Sequence, residues 1–211
     1  MKDKQKSRGK HRSKLPGGAG ASLRAWVKSS FNIDDWHMAI VGDGSGCGWT
    51  MAMGWGAIVV DERYHCQKLL YGAHNRGTVS AAELMPTLHG LMWYDAEFGA
   101  ANKRVNRSPT KVLVLSDSKY IVDTGNAMFN PESASTLIDK YVANQPLLAT
   151  LIQFAGKYLV SFRWVGRDRM PLHIFADTIS ARARRAMVIE EGIHNSDKSR
   201  ILLAEDINAQ I

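Results

Sequence analysis

The sequence has few of the features that mark a disulfide-bonded, zinc-binding or membrane-anchored protein. Two of its 211 residues are cysteine, Cys47 and Cys66, which is too few for a disulfide framework. Together with His65 and His74 they lack the paired spacing of zinc ligands. No apolar run approaches the ~20 residues of a membrane helix, and no apolar segment follows the basic N-terminus as in a signal peptide. We expect reduced cysteines, no membrane contact and a cytoplasmic location.

Acidic residues are almost absent from the first 24 positions, which concentrates the positive charge of the chain there. This stretch has eight basic residues and one acid, so it accounts for the whole formal charge of +7, and the remainder of the chain is formally neutral. With "LPGGAGAS" at its base, the arm of residues 1–35 is expected to be flexible and to contact phosphates nonspecifically. The alternative is a solubilising or cloning-derived tail.

The rest of the chain has the pattern of one mixed α/β domain. Hydrophobic residues make up 45% of the sequence and charged residues 22%, which fits a single globular domain with tails. Three strand-like stretches follow one another closely and predict consecutive antiparallel strands, and two more strand-like stretches come later. The five predicted strands cover residues 37–42, 53–61, 64–73, 110–118 and 159–165.

Helical periodicity fills the segments between and after these strands. Leu84, Leu88 and Leu91 repeat at helical spacing, whereas the polar segment 99–109 predicts a loop. A mixed sheet with helices on its faces is expected from this order. We place this domain at 36–190, and the extension 191–211 has no functional interpretation. The predicted helices cover 78–98, 118–125, 131–144, 145–158 and 172–191.

Four acidic residues stand at the ends of these elements. Asp43 ends the first strand and Asp117 the fourth, while Glu83 falls in the first turn of the first long helix and Asp177 near the start of the last. If the first and fourth strands are parallel neighbours, their acids emerge at the same edge of the sheet. Clustered carboxylates need cations to stay ionised, and Mg²⁺ or Mn²⁺ prefers oxygen ligands.

Each acid also has a purely structural interpretation. Asp43 precedes a glycine as in an ordinary hairpin turn, and Asp117 can cap a helix. Ser80 with Glu83 matches a capping box, and Asp177 can face solvent. Their joint position at element ends makes the metal-site interpretation the better one.

Four stretches, in order, resemble the signatures of type I ribonuclease H: "VGDGSG…GWGAIV", "TVSAAELMPTLHGL", "LSDSKYI" and "FRWVGRDRMPLHIFADTISARA". The resemblance covers about residues 38–187. It implies a ribonuclease H-like fold with a five-stranded mixed sheet, three antiparallel strands then two parallel ones, and helices on both faces. It also implies metal-dependent hydrolysis of the RNA strand of RNA–DNA hybrids. We expect the protein to be a monomer.

The resemblance further implies a role for each acid. Asp43, Glu83, Asp117 and Asp177 match the family's four metal ligands and would hold two Mg²⁺ ions, with Mn²⁺ as a possible substitute. Asp43 would bridge the two ions, Asp177 would complete one metal shell, and Glu83 with Asp117 would complete the other.

The sequence departs from the family at the loop before the last helix. That loop reads "GRDRMP" and lacks the usual histidine, which in the family assists proton transfer and product release. Arg167 or Arg169 can replace it as a phosphate contact, or His173, one helical turn before Asp177, can take its role. The structural alternative for His173 is a partly buried residue at a helix start.

Substrate contacts are expected at the turn after the first strand and at the start of the first long helix. We expect the glycines of the turn to leave room for a phosphate backbone to approach Asp43. In the helix, Val79, Ala81 and Ala82 cannot hydrogen-bond through their side chains, and Pro86 predicts a kink or a late start. The candidate substrate-binding residues are Gly44, Ser45, Gly46, Cys47, Gly48, Thr78, Ser80 and Arg169.

Two other functions fit the same residues. The protein can be a nuclease of this fold that acts on DNA or branched nucleic acid, because the same acids serve many polynucleotide substrates. It can also be a catalytically weak nucleic-acid-binding module, although the presence of all four acids argues against this.

Overall fold

The structure is a computed structural model and describes residues 19–47, 51–104, 109–128, 144–155, 157–167, 169–191 and 200–203. The chain divides into two compact units, Met1–Asp34 and Asp35–Ile211. Among the helices in the described ranges, none combines the length and the apolar composition needed to cross a membrane.

The first unit contains helix α1, Ala19–Phe31. A flexible arm was predicted for residues 1–35, and this prediction is wrong for the helical part; residues 1–18 lie outside the described residues. Leu23 and Val27, one helical turn apart, are both buried. The helix ends at Asn32, whose φ of 55° and N–H bond to the carbonyl of Lys28 are typical of a C-terminal cap.

The second unit is built on a mixed sheet. Strands β1 (Met38–Gly46), β2 (Met53–Asp61) and β3 (Cys66–His74) pair in antiparallel order. Strand β4 (Thr110–Ser116) is parallel to β1, and β5 (Tyr158–Trp164) is parallel to β4. These are the five predicted strands, and their mixed arrangement is confirmed. A short β6 (Arg200–Leu203), in the C-terminal extension, pairs antiparallel with β3 and gives the order β5-β4-β1-β2-β3-β6.

In the described part of this unit, four helices accompany the sheet: α2 (Val79–Arg104), α3 (Lys119–Met128), α4 (Gln145–Ala155) and α5 (Pro171–Glu191). Helix α2 continues through residues 99–104, where a loop was predicted. Helix α3 also extends beyond its predicted end at Gly125. This glycine does not end the helix but is buried within it, against the ring of Phe162. The helix predicted for 131–144 falls almost entirely outside the described residues.

Helix α2 and helix α5 cover opposite faces of the sheet. A Cβ on Gly44 would lie 2.4 Å from backbone atoms of Ala82 in α2, and one on Gly54 would lie 2.3 Å from the carbonyl oxygen of Ser180 in α5. The main apolar core lies on the α2 face, where Ile40, Leu91, Leu148 and other residues of the sheet and of α2, α3 and α4 form one buried cluster. The prediction of helices on both faces is therefore confirmed.

The glycines of β1 make room for a helix, whereas the sequence predicted that they make room for a substrate. In a strand, alternate residues face the same side, and Gly42, Gly44 and Gly46 all face α2. A Cβ at Gly42 would lie 2.3 Å from Cβ of Pro86, and one at Gly46 would lie 2.7 Å from the Val79 side chain. Gly44 and Gly46 thus allow close packing of a helix rather than close approach of a substrate. Gly48 lies outside the described residues.

The start of α2 also differs from the prediction. The hydroxyl oxygen of Thr78 accepts a hydrogen bond from the N–H of Ala81 at 3.0 Å, so Thr78 rather than Ser80 caps the helix. Glu83 consequently lies one turn inside α2 and not in its first turn. Pro86 is inside the continuous helix, so the alternative of a late start is wrong. Its ring occupies the space that Gly42 leaves open.

The imidazole of His89, in α2, stacks on Trp55 with ring centroids 4.3 Å apart, and burial lowers the pKa of His89 to about 4. Between pH 6.5 and 4 the unfolded chain takes up a proton at this residue and the folded chain does not. We expect stability to fall as the pH decreases through this window, with a contribution of up to about 1.4 kcal/mol per pH unit.

The test is to measure the free energy of unfolding in urea at several pH values, for the unaltered protein and for His89→Phe. The comparison cancels the contributions of acidic groups that titrate in the same range. Equal pH dependence of the two proteins would contradict the prediction.

Candidate metal centre

Strands β1 and β4 deliver two carboxylates to the same edge of the sheet. Their parallel register pairs Val41 with Leu115, and continuing it by two residues brings Asp43 level with Asp117. The two strands are hydrogen-bonded neighbours in the sheet. This is the arrangement that the sequence predicts if the first and fourth strands are parallel.

Asp43 is a buried acid, with only 2% of its surface exposed. It faces α5, where the Ser180 hydroxyl donates a hydrogen bond of 2.6 Å to its Oδ2 atom. Burial raises the pKa of Asp43 to about 6, and the charges of Asp117 and Asp177 act in the same direction. The bond from Ser180 and the charge of His173 oppose this rise. The fold therefore holds a carboxylate where its negative charge is unfavourable without a cation.

Asp117 has two cationic or potentially cationic neighbours. The Nε atom of Arg167 donates to Oδ2 at 3.2 Å, and Nε2 of His173 lies 3.5 Å from Oδ1. The contact with His173, assisted by Arg167, holds the pKa of Asp117 below its usual range despite partial burial. The indole N–H of Trp164, at the end of β5, donates to the backbone carbonyl of Asp117 at 2.9 Å. These contacts fix Asp117 at the end of β4.

Glu83 lies near both aspartates. Burial raises the pKa of Glu83 to about 8, with further contributions from the charges of Asp43 and Asp117, while the backbone N–H of Gly44 opposes the rise. The Oε2 atom of Glu83 is buried and has no hydrogen-bond partner among the described residues. A buried acceptor without a partner is costly, which suggests that a group outside the protein chain satisfies it.

His173 is the third member of the closest cluster. Ligand atoms of Asp43, Asp117 and His173 lie within 4.8 Å of one another. His173 is 1% exposed, and although burial opposes protonation, the neighbouring carboxylates outweigh it and raise the pKa of His173. Asp177, one turn further along α5, is exposed at the rim of the cluster. Its charge contributes to the raised pKa values of Asp43 and His173.

Several solved structures share this architecture. The N-terminal RNase H domain of a Mycobacterium tuberculosis protein, solved as a fusion with maltose-binding protein, matches with a TM-score of 0.53 and 21% identity over 74% of this chain and 99% of that one. The chain has the ribonuclease H fold. LC11-RNase H1, isolated from compost by a metagenomic approach, matches with a TM-score of 0.52 and 17% identity over 72% of this chain and 98% of that one.

LC11-RNase H1 has also been crystallised in complex with an RNA/DNA hybrid, and that structure matches with a TM-score of 0.51 and 17% identity over 72% of this chain and 99% of that one. No protein-family model and no curated protein matches the sequence. At these identities the likeness establishes the fold alone.

The residues present on this ribonuclease H fold suit a divalent metal ion. The donor set consists of carboxylate oxygens, which suit both Mg²⁺ and Mn²⁺, and one imidazole nitrogen, which suits transition metal ions better than Mg²⁺. Burial raises the pKa values of Asp43 and Glu83, so their charged forms are unfavourable in the folded protein without a cation. The unpartnered Oε2 of Glu83 supplies an acceptor ready for a cation. The structure thus fits the predicted metal centre at Asp43, Asp117 and Glu83, with Asp177 at its rim.

The candidates for the missing loop histidine occupy different positions. Arg167 is exposed and pairs with Asp117, whereas Arg169 is exposed with its backbone N–H bonded to the carbonyl of Gly166. His173 is buried inside the ribonuclease H core, so it is not a residue of a solvent-exposed loop. This position agrees with a buried residue near a helix start and also places His173 beside the two aspartates.

Of the predicted substrate contacts, Thr78 uses its hydroxyl oxygen in the helix cap and Ser80 is partly exposed on the first turn of α2. Ser45 and Cys47, at the end of β1, are also partly exposed, and the N–H of Cys47 bonds to the carbonyl of Ala52. Binding of nucleic acid by these residues stays a prediction.

Two residues of α5 that hold β1 were not predicted from the sequence. Ser180 bonds to Asp43, and Arg184 donates to the backbone carbonyl of Gly46 at 3.0 Å. Ser180 is seven residues after His173 and therefore lies on the same helix face. The spacing of seven residues could have predicted that Ser180 shares a helix face with His173, but nothing in the sequence indicates that this face packs on β1.

Proposed function

We propose that the protein is a metal-dependent endoribonuclease that hydrolyses the RNA strand of RNA–DNA hybrids. The observation that carries the proposal is the convergence of Asp43 and Asp117 at one sheet edge, with the unpartnered carboxylate oxygen of Glu83 nearby. The ribonuclease H fold supports the same reaction class, and one structure of that fold was solved with a hybrid. The raised pKa values of Asp43 and Glu83 are the expected property of carboxylates that await metal ions.

The centre would hold two Mg²⁺ ions, with Mn²⁺ as a substitute. Asp43 would contact both ions, Asp177 would complete the shell of one, and Glu83 with Asp117 would complete the shell of the other. When bound, such ions activate a water molecule and stabilise the charge that develops on the scissile phosphate and the leaving oxygen. Ser180 keeps one oxygen of Asp43 fixed, which orients the other toward the cluster.

Two cationic side chains on the rim can bind the phosphate backbone. Arg167 is anchored by Asp117 through its Nε atom, and three-quarters of its side chain is exposed. Its remaining guanidinium donors suit a phosphate oxygen. Arg169, exposed on the same loop, offers a second contact. The exposed indole of Trp164 lies next to Asp117 and adds an apolar surface for a sugar or base.

The remaining contacts of the proposed substrate lie at the turn after β1 and the start of α2. We assign them to the side chains of Ser45, Cys47, Thr78 and Ser80, whose hydroxyl and thiol groups can donate hydrogen bonds. The basic N-terminal arm would add sequence-independent phosphate binding, which weakens as salt rises.

One cleavage assay tests the proposal against its alternatives. The full chain is incubated with end-labelled RNA–DNA, RNA–RNA, DNA–DNA and branched DNA substrates of matched sequence, in Mg²⁺, Mn²⁺ or EDTA. We expect cutting of the RNA strand of the hybrid alone, in either metal, and none in EDTA. Cutting of DNA or branched substrates with the hybrid left intact would favour a different nuclease of the same fold. Binding of the hybrid without cutting would favour a nucleic-acid-binding module.

A further inference from the structure

We propose that His173 is a nitrogen ligand of the metal centre and makes one metal position selective for a divalent first-row transition metal ion, such as Mn²⁺, over Mg²⁺. The inference rests on the metal centre of the proposed function, but it does not depend on the protein being a nuclease. Neither the acids nor the fold requires a nitrogen ligand at this place.

The first support is distance. Two ligand atoms that share one ion lie at most about 4.2 Å apart, because each metal–ligand bond is about 2.1 Å long. The ligand atoms of Asp43, Asp117 and His173 already lie within 4.8 Å of one another. Inward movements of up to about 0.7 Å by each side chain therefore bring all three atoms within bonding distance of a single ion.

The second support is the environment of the His173 ring. The side chain is 1% exposed, and among the described residues its Nε2 atom has no hydrogen-bond partner. The separation of 3.5 Å from Oδ1 of Asp117 is too long for a good hydrogen bond. A buried ring that lies within 4.8 Å of two carboxylates, and whose Nε2 atom makes no close hydrogen bond, is placed as a metal ligand is placed.

The third support is the rigidity of the helix that carries His173. Its backbone N–H bonds to the carbonyl of Met170, which fixes the first turn of α5. Two turns later, Ser180 bonds to Asp43 itself, and Gly54 and Gly56 of β2 allow the backbone of α5 to contact the sheet. The imidazole and the carboxylate of Asp43 are therefore held by the same contact between helix and sheet.

The selectivity follows from ligand chemistry. Mg²⁺ prefers oxygen ligands, whereas imidazole nitrogen binds first-row transition metal ions more favourably. Replacing one oxygen ligand by His173 strengthens the binding of Mn²⁺ relative to Mg²⁺. The competing interpretation is that His173 only forms an ion pair with Asp117 and never contacts a metal ion.

The direct test is electron spin-echo spectroscopy of the unaltered full chain with Mn²⁺ and no nucleic acid. Coupling of the bound Mn²⁺ to an imidazole nitrogen is expected, and it should disappear in His173→Gln while persisting in His65→Gln. His65 is exposed in the turn between β2 and β3, away from the centre, so it serves as the matched control. The measurement on the unaltered protein does not depend on whether a variant folds.

Calorimetric titrations of the same proteins measure the selectivity. His173→Gln should weaken Mn²⁺ binding by about 10-fold or more and change Mg²⁺ binding by less than about threefold. Absence of nitrogen coupling in the unaltered protein, an equal loss for both ions, or no Mn²⁺ binding at millimolar concentration would each overturn the inference. Nitrogen coupling without hybrid cleavage would leave the inference standing and reject the proposed nuclease function.

Discussion

Asp43→Asn should lower the rate of hybrid cleavage by at least about 10³-fold, equivalent to about 4 kcal/mol of barrier. The amide keeps the size of the side chain and can still accept the bond from Ser180, but it removes the negative charge that would hold both metal ions. The measurement is the single-turnover cleavage rate of a labelled RNA–DNA hybrid in Mg²⁺.

The same substitution should leave the protein folded and make it more stable without metal. Because burial raises the pKa of Asp43 to about 6, its charge opposes folding at pH 7. Replacing the charged group by a neutral one should therefore increase the unfolding free energy in EDTA, by on the order of 2 kcal/mol. A gain in stability together with a loss of activity distinguishes removal of a metal ligand from damage to the fold.

Asp61→Asn is the matched control. Asp61 is also a buried acid, with 2% of its surface exposed, but it pairs with Met38 at the opposite end of β1 from Asp43. Its Oδ1 atom accepts a hydrogen bond from the N–H of Tyr64 at 2.6 Å, a role an amide oxygen can keep. Cleavage by this variant should stay within about twofold of the unaltered protein. Full cleavage by Asp43→Asn would reject the assignment of the centre.

Gly44→Ala should destabilise the protein by about 2–3 kcal/mol, the effect of overpacking a rigid contact. The added Cβ would lie 2.4 Å from the carbonyl carbon of Ala82 and from the backbone nitrogen of Glu83. These are backbone atoms in a helix, so they cannot move aside as the end of a flexible side chain can. Urea unfolding monitored by circular dichroism measures the change.

Gly99→Ala provides the comparison for this prediction. Gly99 lies within α2, and the atom closest to its added Cβ is a carboxylate oxygen of Asp95, at 3.0 Å. The better helix propensity of alanine, about 0.5–1 kcal/mol, should roughly offset the displacement of this side chain. Equal unfolding midpoints for Gly44→Ala and the unaltered protein would show that α2 is not held against β1 as described.

The strands and the acids at their ends could be predicted because both depend on local patterns. A short apolar run precedes each carboxylate, and the parallel pairing of β1 and β4 places Asp43 beside Asp117. Asp117 follows the end of β4 as predicted, but β1 continues for three residues beyond Asp43. The motif order added the expectation of a ribonuclease H fold, which the structural comparisons support.

The features that the sequence analysis missed depend on contacts between distant residues. Helix α2 continues through Asn102, which bonds to the hydroxyl of Tyr64, although its last residues are polar and follow a glycine. The alternating glycines that begin at Gly44 are as typical of a turn as of a strand on which a helix packs closely. Ser180 resembles any helical serine until α5 is placed on β1. In each case tertiary packing decides what local propensity leaves open.

The bond between Ser180 and Asp43 has a consequence for synthesis of the chain. It joins residues 137 positions apart, so this contact forms only after α5 has been made. Contacts of such long range are slow to form, because the entropy of closing the loop opposes them until the whole sheet has assembled. A growing chain that does not yet include α5 has Asp43, Glu83 and Asp117 but lacks His173 and Asp177. The complete centre therefore forms only after α5 has been made.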